Sequence, residues 1–570
     1  MSRKMKTVNH VGAWRLNLVR LVFISLVIGL GWRLADIEVL HPDFLRGQGD
    51  ARHIRHVAIP AHRGMILDRN GKPLAVSTPV HSVWFNPQDI HADKRHLKQL
   101  AKLVDLSTSS IKKKIRDGKK AHREFIYLKR RVTPELALKV KQLKIKGIGL
   151  QREYKRYYPA GEVTAHLIGF NNIDDNGQEG LELEYNDALK GIPGLKRVLR
   201  DNRGNYVGGG EQLKASKDGE NINLSIDLRL QYLTYQALKS TVKKYHAHAG
   251  TAVILDIRTG EILAMVNQPS FNPNNRRGLK LASLRNRAVI DLFEPGSTVK
   301  PFTVASGLKS GLFTTKTQIN THPGRFKVDN LTVKDHRDYG VITLATLLKK
   351  SSNVGASKIA LTLKPDQLWQ GFSAFGMGHL SGGYFPGEDM GRMPNLRTWG
   401  DVGRATLSYG YGLNTSALQL ARAYTVLANG GILRPVSFVK RDTVPKGHRV
   451  FSQDIMKEVL TMMKGVVQIG GTAHRAVVKN YTVAGKTGTV KKAINGGYAD
   501  DRYRSLFAGI IPANKPRLAM VVMVDEPQGD AYYGGLVAAP VFSKVMTGAM
   551  RLLNIAPDKL STTKILVAQK

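Results

Sequence analysis

From residue 21 to residue 32 the chain is uncharged and mostly apolar, and Arg20 and Arg33 bound the run. Alone it is short for a bilayer span, which takes about 20 residues. Adding 16–19 and 34–35, with both arginines reaching toward the interfaces, predicts a transmembrane anchor over 16–36. Arg3, Lys4, Lys6 and Arg15 precede it, so the tail 1–15 is expected on the cytoplasmic side and the rest outside. A cleaved signal peptide is the alternative, but Trp32-Arg33 stands where a small-x-small cleavage site would be needed.

Past the anchor the pattern shortens. Residues 54–66 read as extended and lead to Asn70-Gly71, a strong hairpin signal before 72–76. Residues 87–146 read as charged, locally helical lobes, and the Arg- and Gly-rich stretch 202–211 as a loop closing a first module over 50–211. A second module, 222–556, opens with Asp227 as a helix cap before the apolar stripe Leu230, Leu233, Ala237, Leu238 and Val242. Segments 251–257 and 261–266 form a hairpin around Arg258-Thr259-Gly260, and 505–511 with 517–524 form another. A helix over 416–428 ends at Asn429-Gly430. Pro540 is expected to start a closing helix with Val541, Val545, Met546 and Ala549 on one side, and 557–570 to be a loose tail. The order helix, hairpin, helical insert, hairpin, helix predicts an α+β fold, a sheet covered by terminal helices.

At 570 residues the chain has room for two or three domains. It has no cysteine, which excludes disulfides and thiolate metal or redox sites. Net charge is +42, from 86 Lys and Arg against 44 Asp and Glu. That excess would ordinarily raise nucleic-acid binding. Here the basic residues are scattered, no nucleic-acid-binding signature accompanies them, and the anchor exports the domain. A general bias of the source proteome, or attraction to anionic lipid and wall polymers, is the better expectation. The histidines lack metal-ligand spacing, so neither a metal nor a cofactor is expected.

Three short motifs carry the candidate chemistry: Ser297-Thr298-Val299-Lys300, Ser351-Ser352-Asn353, and Lys486-Thr487-Gly488-Thr489. Each is weak alone; in this order they supply a nucleophilic serine, a lysine base, a Ser/Asn pair and a Lys-Thr-Gly strand. A serine hydroxyl needs a base within reach. Residues three apart share a helix face, so the Lys300 amine can approach Ser297 from the next turn, with the nucleophile in the first turn near free backbone N–H groups. A lysine acts as a base only when uncharged, and near neutral pH that takes roughly 4 kcal/mol of differential interaction. Desolvation and a second cation, here Lys486, are the available causes. Lys486 could also attract a substrate carboxylate, with the Thr487 and Thr489 hydroxyls as partners.

Residues 481–490 read as a strand whose glycines mark a close backbone approach. A substrate peptide could add to it as a further strand, with the N–H groups of Ser297 and Thr489 as candidate oxyanion-hole donors. Ser351 and Asn353 alternate on an extended segment or short turn; Ser351 would shuttle the proton to the leaving group, and Asn353 would orient Lys300 and a substrate amide.

The stretch 293–301 (Phe-Glu-Pro-Gly-Ser-Thr-Val-Lys-Pro), with 350–355 (Lys-Ser-Ser-Asn-Val-Gly) and 484–489 (Ala-Gly-Lys-Thr-Gly-Thr), resembles the class B penicillin-binding proteins. The resemblance extends to 63–71, to 156–161 with His166 and Gly169, and to 177–182, which look like the three N-terminal motifs of that class. It implies an elongated pedestal module before a serine β-lactamase-like transpeptidase domain. It further implies peptidoglycan stem peptides as substrates, β-lactams as covalent inhibitors, and no cofactor. The expected partners are a membrane glycosyltransferase and other division proteins, at the inner membrane with the catalytic domain periplasmic. Asn353, where the elongation members are expected to carry Asp, points to the division type. The rivals are an elongation-type enzyme, a D,D-carboxypeptidase or β-lactamase, which would need a deacylating base that cannot be identified, and a non-catalytic scaffold, which should have lost a catalytic side chain. A β-lactam sensor would need an effector region, for which the stretch before the anchor leaves no room.

Other features have plainer readings. Residues 63–71 are directly a hairpin. Glu182, Glu184 and Arg156 are expected to form buried ion pairs between modules, Asp335-His336 a surface loop, and Tyr409-Gly410-Tyr411-Gly412 a cleft-edge turn.

Overall fold

The computed structural model describes residues 12–40, 54–200, 206–494 and 497–559. The segments 1–11 and 560–570, and with them most of the expected tails, lie outside the described residues. The anchor is a helix over Ala13–Ala35, and its apolar span continues to Val39, 27 residues in all, with none of it buried in protein. At about 1.5 Å per residue it is long enough to cross a bilayer. It begins three residues before the expected anchor, and Arg33 pairs with Asp36 at 2.7 Å.

The chain divides into two compact units that interleave along the sequence. One comprises Met1–Ala61, Ser82–Gln151 and Ile192–Asp218. It holds an antiparallel sheet of Ile54–Ile59, Gly194–Arg200 and Tyr206–Lys214, in that order. The last strand occupies most of the stretch expected as a loop, because pairing with its neighbour overrides the weak strand propensity of its glycines. The same unit contains helices Lys94–Val104, Thr108–Lys120 and Pro134–Gln142 on a core of Phe85, Leu100, Ile111 and Leu128. Asp93, Ser107 and Thr133 cap the three helices. A strand, Ile126–Val132, lies where only helix was expected.

The other unit comprises His62–His81, Arg152–Gly191 and Gly219–Lys570. All three N-terminal motifs therefore fold with the catalytic module. Residues 66–73 make the expected hairpin turn, with Gly71 at φ +77°. The turn does more than reverse the chain. Asp68 accepts from the backbone of Asn70 and Lys72 at 2.8 Å and from Leu228 N at 3.1 Å. It thus shares with Asp227, whose carboxylate accepts from Arg229 N, the capping of helix α1 (Leu228–Lys244).

Glu182 is fully buried between Arg63 (1% exposed) and Arg156 (4% exposed). Its carboxylate takes Arg63 Nε at 2.8 Å and Arg156 Nε at 2.5 Å. The Glu182–Arg156 pair is as expected and Arg63 is an addition to it, but all three residues belong to one compact unit, and Glu184 is exposed and outside the cluster.

The catalytic module is built on strands β1 (Ala249–Asp256), β2 (Ile262–Gln268), β3 (Ala484–Ile494), β4 (Gly497–Ile511) and β5 (Leu518–Asp525). Their order is β2-β1-β5-β4-β3, antiparallel throughout. Every residue of β1 and β5 is buried, so both pleat faces are covered. Helix α1 packs on β2, and the insert helix α5 (Ala417–Ala428), capped by Ser416, packs on β5 and β1. The closing helix α7 (Gly534–Leu552) packs on β4 and β5.

Pro540 lies inside α7, six residues after its start, not at it. A proline cannot bond the carbonyl four residues back. That carbonyl, Leu536 O, instead accepts the Tyr245 hydroxyl at 3.4 Å. Past α7, Asp558 accepts from Thr482 N at 2.7 Å, so the described part of the expected tail is tied down.

Candidate active site

Ser297 lies in a 3-10 turn, Gly296–Val299, and the α-helix α2 (Lys300–Lys309) begins only at Lys300. The candidate nucleophile therefore precedes the helix in a tighter turn. Gly410 O accepts Gly296 N at 3.0 Å, Pro295 O accepts the Thr298 hydroxyl at 2.7 Å, and the buried Tyr424 hydroxyl donates to Thr298 O at 2.7 Å. Gly296 has φ +53°, and a Cβ there would stand 2.4 Å from Val490 Cγ2 on β3. Glu294 accepts Gly412 N at 2.9 Å and the Tyr498 hydroxyl at 3.0 Å, tying the Tyr409–Gly412 turn to β4.

Ser351 joins helices α3 (Leu344–Lys350) and α4 (Asn353–Thr362). It is not on an extended segment: its φ and ψ are 63° and 42°, the left-handed region, and Ser352 caps α4 by accepting Gly355 N at 2.9 Å. Half-buried Asp335 anchors this turn. Its carboxylate accepts the Ser352 hydroxyl and Asn353 N, both at 2.5 Å, and Val354 N at 3.1 Å. The surface-loop reading of Asp335-His336 fails for Asp335. Nothing local in the sequence flags it, because its partners lie 17 to 19 residues downstream.

Lys300 and Lys486 are both fully buried. Lys300 Nζ meets Ser351 O at 2.6 Å, Ser351 Oγ at 3.1 Å and Asn353 Oδ1 at 2.7 Å. None of these partners is Ser297 Oγ. Lys486 Nζ donates to Ser351 Oγ at 2.8 Å and to Thr487 O at 3.2 Å. Ser351 Oγ is thus the point where two lysines from separate elements converge. Burial first, then the charge of Lys486, push the Lys300 amine well below its ordinary value, and Asp335 opposes them. Burial pushes Lys486 down to about 7.

On β3 a Cβ at Gly488 would lie 3.0 Å from both Pro295 O and Thr298 Cγ2. The close approach that glycine permits is to the Gly296–Val299 turn itself. The Thr489 hydroxyl accepts Gly534 N at 3.0 Å, and the Thr487 hydroxyl shares a 2.8 Å hydrogen bond with Thr472. Ser297, Ser351, Asn353, Thr487 and Thr489 line one cleft of about 520 Å³, with Tyr409 and Tyr411 on its wall. Lys300 and Lys486 are buried and reach the cleft through Ser351, and Gly488 backs onto the turn. All eight candidate residues come together here. Asp335, Glu294, Tyr424 and Thr472 are supports that motif reading misses.

Removing the charge of Lys486 should raise the Lys300 value, because a neighbouring cation lowers it. Lys486→Gln is therefore expected to move the rising limb of the pH–acylation profile toward alkaline pH, read with a chromogenic cephalosporin. A limb that stays in place would uncouple the two amines.

Residues 250–547 match the penicillin binding protein transpeptidase domain, and residues 58–224 match the penicillin-binding protein dimerisation domain. Over 558 residues the chain is 42% identical to the peptidoglycan D,D-transpeptidase FtsI of Escherichia coli (strain K12), covering 96% of this chain and 94% of that one. The apo transpeptidase domain of Burkholderia pseudomallei penicillin-binding protein 3 is 41% identical, with a TM-score of 0.55 over 59% of this chain and 98% of its own. A peptidoglycan synthetase from Bifidobacterium adolescentis is 26% identical, with a TM-score of 0.72 over 89% of this chain and 98% of its own. With the dimerisation domain preceding the transpeptidase domain and both matched in place, the chain belongs to the class B penicillin-binding proteins.

Proposed function

We propose that this chain is a serine peptidoglycan D,D-transpeptidase of the division type, anchored in the inner membrane with its catalytic module in the periplasm. The observation that carries the chemistry is the convergence of two buried lysines on Ser351 Oγ, beside the cleft that holds Ser297.

An uncharged amine has two N–H donors and one lone pair. With Ser351 O and Asn353 Oδ1 taking the two donors, the third contact of Lys300 is the Ser351 hydroxyl donating to the lone pair. Lys486 then donates to the same oxygen. When a stem pentapeptide enters, the Lys300 lone pair exchanges Ser351 for the Ser297 hydroxyl and takes its proton as Oγ attacks the penultimate D-Ala carbonyl. The backbone N–H groups of Ser297 and Thr489 stabilise the oxyanion. Ser351 passes the proton to the departing amine of the terminal D-Ala, leaving an ester on Ser297. An amine of a neighbouring stem then attacks that ester, loses its proton by the reverse route and forms the cross-link. The Thr487 and Thr489 hydroxyls hold the terminal carboxylate, and the buried Lys486 attracts it through its charge. A β-lactam enters as a cyclic acyl donor whose leaving nitrogen stays attached.

The division assignment rests on Asn353 and the resemblance to division-type members. A membrane glycosyltransferase that polymerises the glycan is the expected partner. Intact-mass analysis after exposure to labelled penicillin is the test. One long-lived adduct on the chain is expected, and rapid release of the label would favour a hydrolase.

A further inference from the structure

Thr472 lies outside all three motifs, on the loop that follows helix Gln453–Val467. Three contacts hold that loop. Lys350 Nζ, from the last turn of α3, donates to Gly470 O at 2.8 Å; Ala473 N donates to Val466 O at 3.0 Å; and Gly471 N donates to Gln468 O at 2.9 Å. A Cβ at Gly471 would stand 2.2 Å from Val466 O, and one at Gly535, where α7 begins, 2.1 Å from Thr472 O. The backbone of Thr472 is therefore wedged against the start of α7, with no room to slide. Its hydroxyl meets that of Thr487 at 2.8 Å, and both residues line the cleft.

A hydroxyl has one hydrogen to give and two lone pairs to receive. If the Thr487 hydrogen were directed at Thr472, it would be lost to a substrate carboxylate. If Thr472 donates, Thr487 Oγ1 is satisfied as an acceptor and its own hydrogen is turned into the cleft. A carboxylate offers only acceptors, so the second arrangement is the one its arrival selects.

We propose that Thr472 is a positioning residue that orients the Thr487 hydroxyl as a donor to the carboxylate of the acyl-donor substrate. The inference rests on the transpeptidase reading above and deepens it. The tie between Lys350 and Gly470 gives it a further consequence: one loop holds the helix that carries Ser351 at one end and reaches the carboxylate-binding hydroxyl at the other.

The test compares acylation of the full-length chain by benzylpenicillin and by its methyl ester, which lacks the negative charge. Thr472→Val is expected to lower the second-order acylation constant for the acid about tenfold, the upper end of what one hydrogen bond contributes, by leaving the Thr487 hydroxyl unoriented, and to leave the ester within about twofold. Thr472→Ser keeps the hydroxyl and should restore the acid rate, whereas Thr472→Ala, which removes it without a second methyl, should repeat the loss. Equal loss for acid and ester, no loss for either, or failure of the serine variant to restore the rate would overturn the proposal. Failure of the parent chain to acylate at Ser297 would instead overturn the transpeptidase reading itself.

Discussion

Ser297→Ala is expected to abolish covalent labelling by penicillin, with acylation falling by at least about four orders of magnitude. The reasoning is chemical before it is structural. An alanine has no atom that can form the ester, so what survives is only what the pocket does for water through its donors and binding contacts. The fold should be indifferent. The Gly296–Val299 turn is held by Gly410 O, Pro295 O and Tyr424, none of which bonds the Ser297 side chain in making that turn. Thermal melting of the variant should match the parent within about 2 °C, as for a substitution away from buried networks. Labelling of the alanine variant at the parent's rate would place the nucleophile elsewhere.

Glu182→Ala is expected to have the largest effect on stability. Two guanidinium groups, almost wholly out of water, share this one carboxylate. Other donors of each reach fixed backbone and side-chain oxygens, Arg63 at Asp175 O and Glu182 O and Arg156 Nη1 at Gly64 O and Ser77 Oγ, while Arg156 Nη2 is buried without a hydrogen-bond partner. Neither arginine can turn to solvent without breaking those bonds. Truncating the glutamate leaves two buried positive charges uncompensated, which typically costs about 3–5 kcal/mol. Glu182→Gln keeps the side-chain oxygen that one guanidinium needs and should lose less. Denaturant midpoints of the full chain in detergent read the difference. A midpoint for the alanine variant equal to the parent's would mean that water reaches the cluster.

How far the sequence is legible depends on whether a residue acts through its neighbours along the chain or across it. The anchor, the Asp227 cap, the two hairpins and the Ser416–Asn429 helix are local events, governed by period, capping and turn chemistry, and their outlines read directly. The eight motif residues are legible because acyl transfer demands particular side-chain types at particular spacings. Asp335 is not, since an acid before a histidine in a polar turn looks the same whether it faces water or caps a helix 18 residues on. Pro540 misleads for a related reason: whether a proline starts a helix or sits inside it depends on what else satisfies Leu536 O, and that partner, Tyr245, lies almost 300 residues away in sequence. Residues 202–211 read as a loop from their glycines although Tyr206–Lys214 is a strand, because the strand it pairs with is not encoded in its own pattern.

The backbone at Ser351 carries a further consequence. A side-chain-bearing residue held at φ 63° costs roughly 1–2 kcal/mol relative to the right-handed region, a cost that glycine largely escapes. The joint between α3 and α4 would therefore be torsionally more relaxed with glycine in that place, yet the oxygen on which both amines converge would vanish. In the proposed mechanism thermodynamic comfort and reactivity pull in opposite directions at this residue, so a search for hardier variants guided by folding free energy alone would select here for an inert protein.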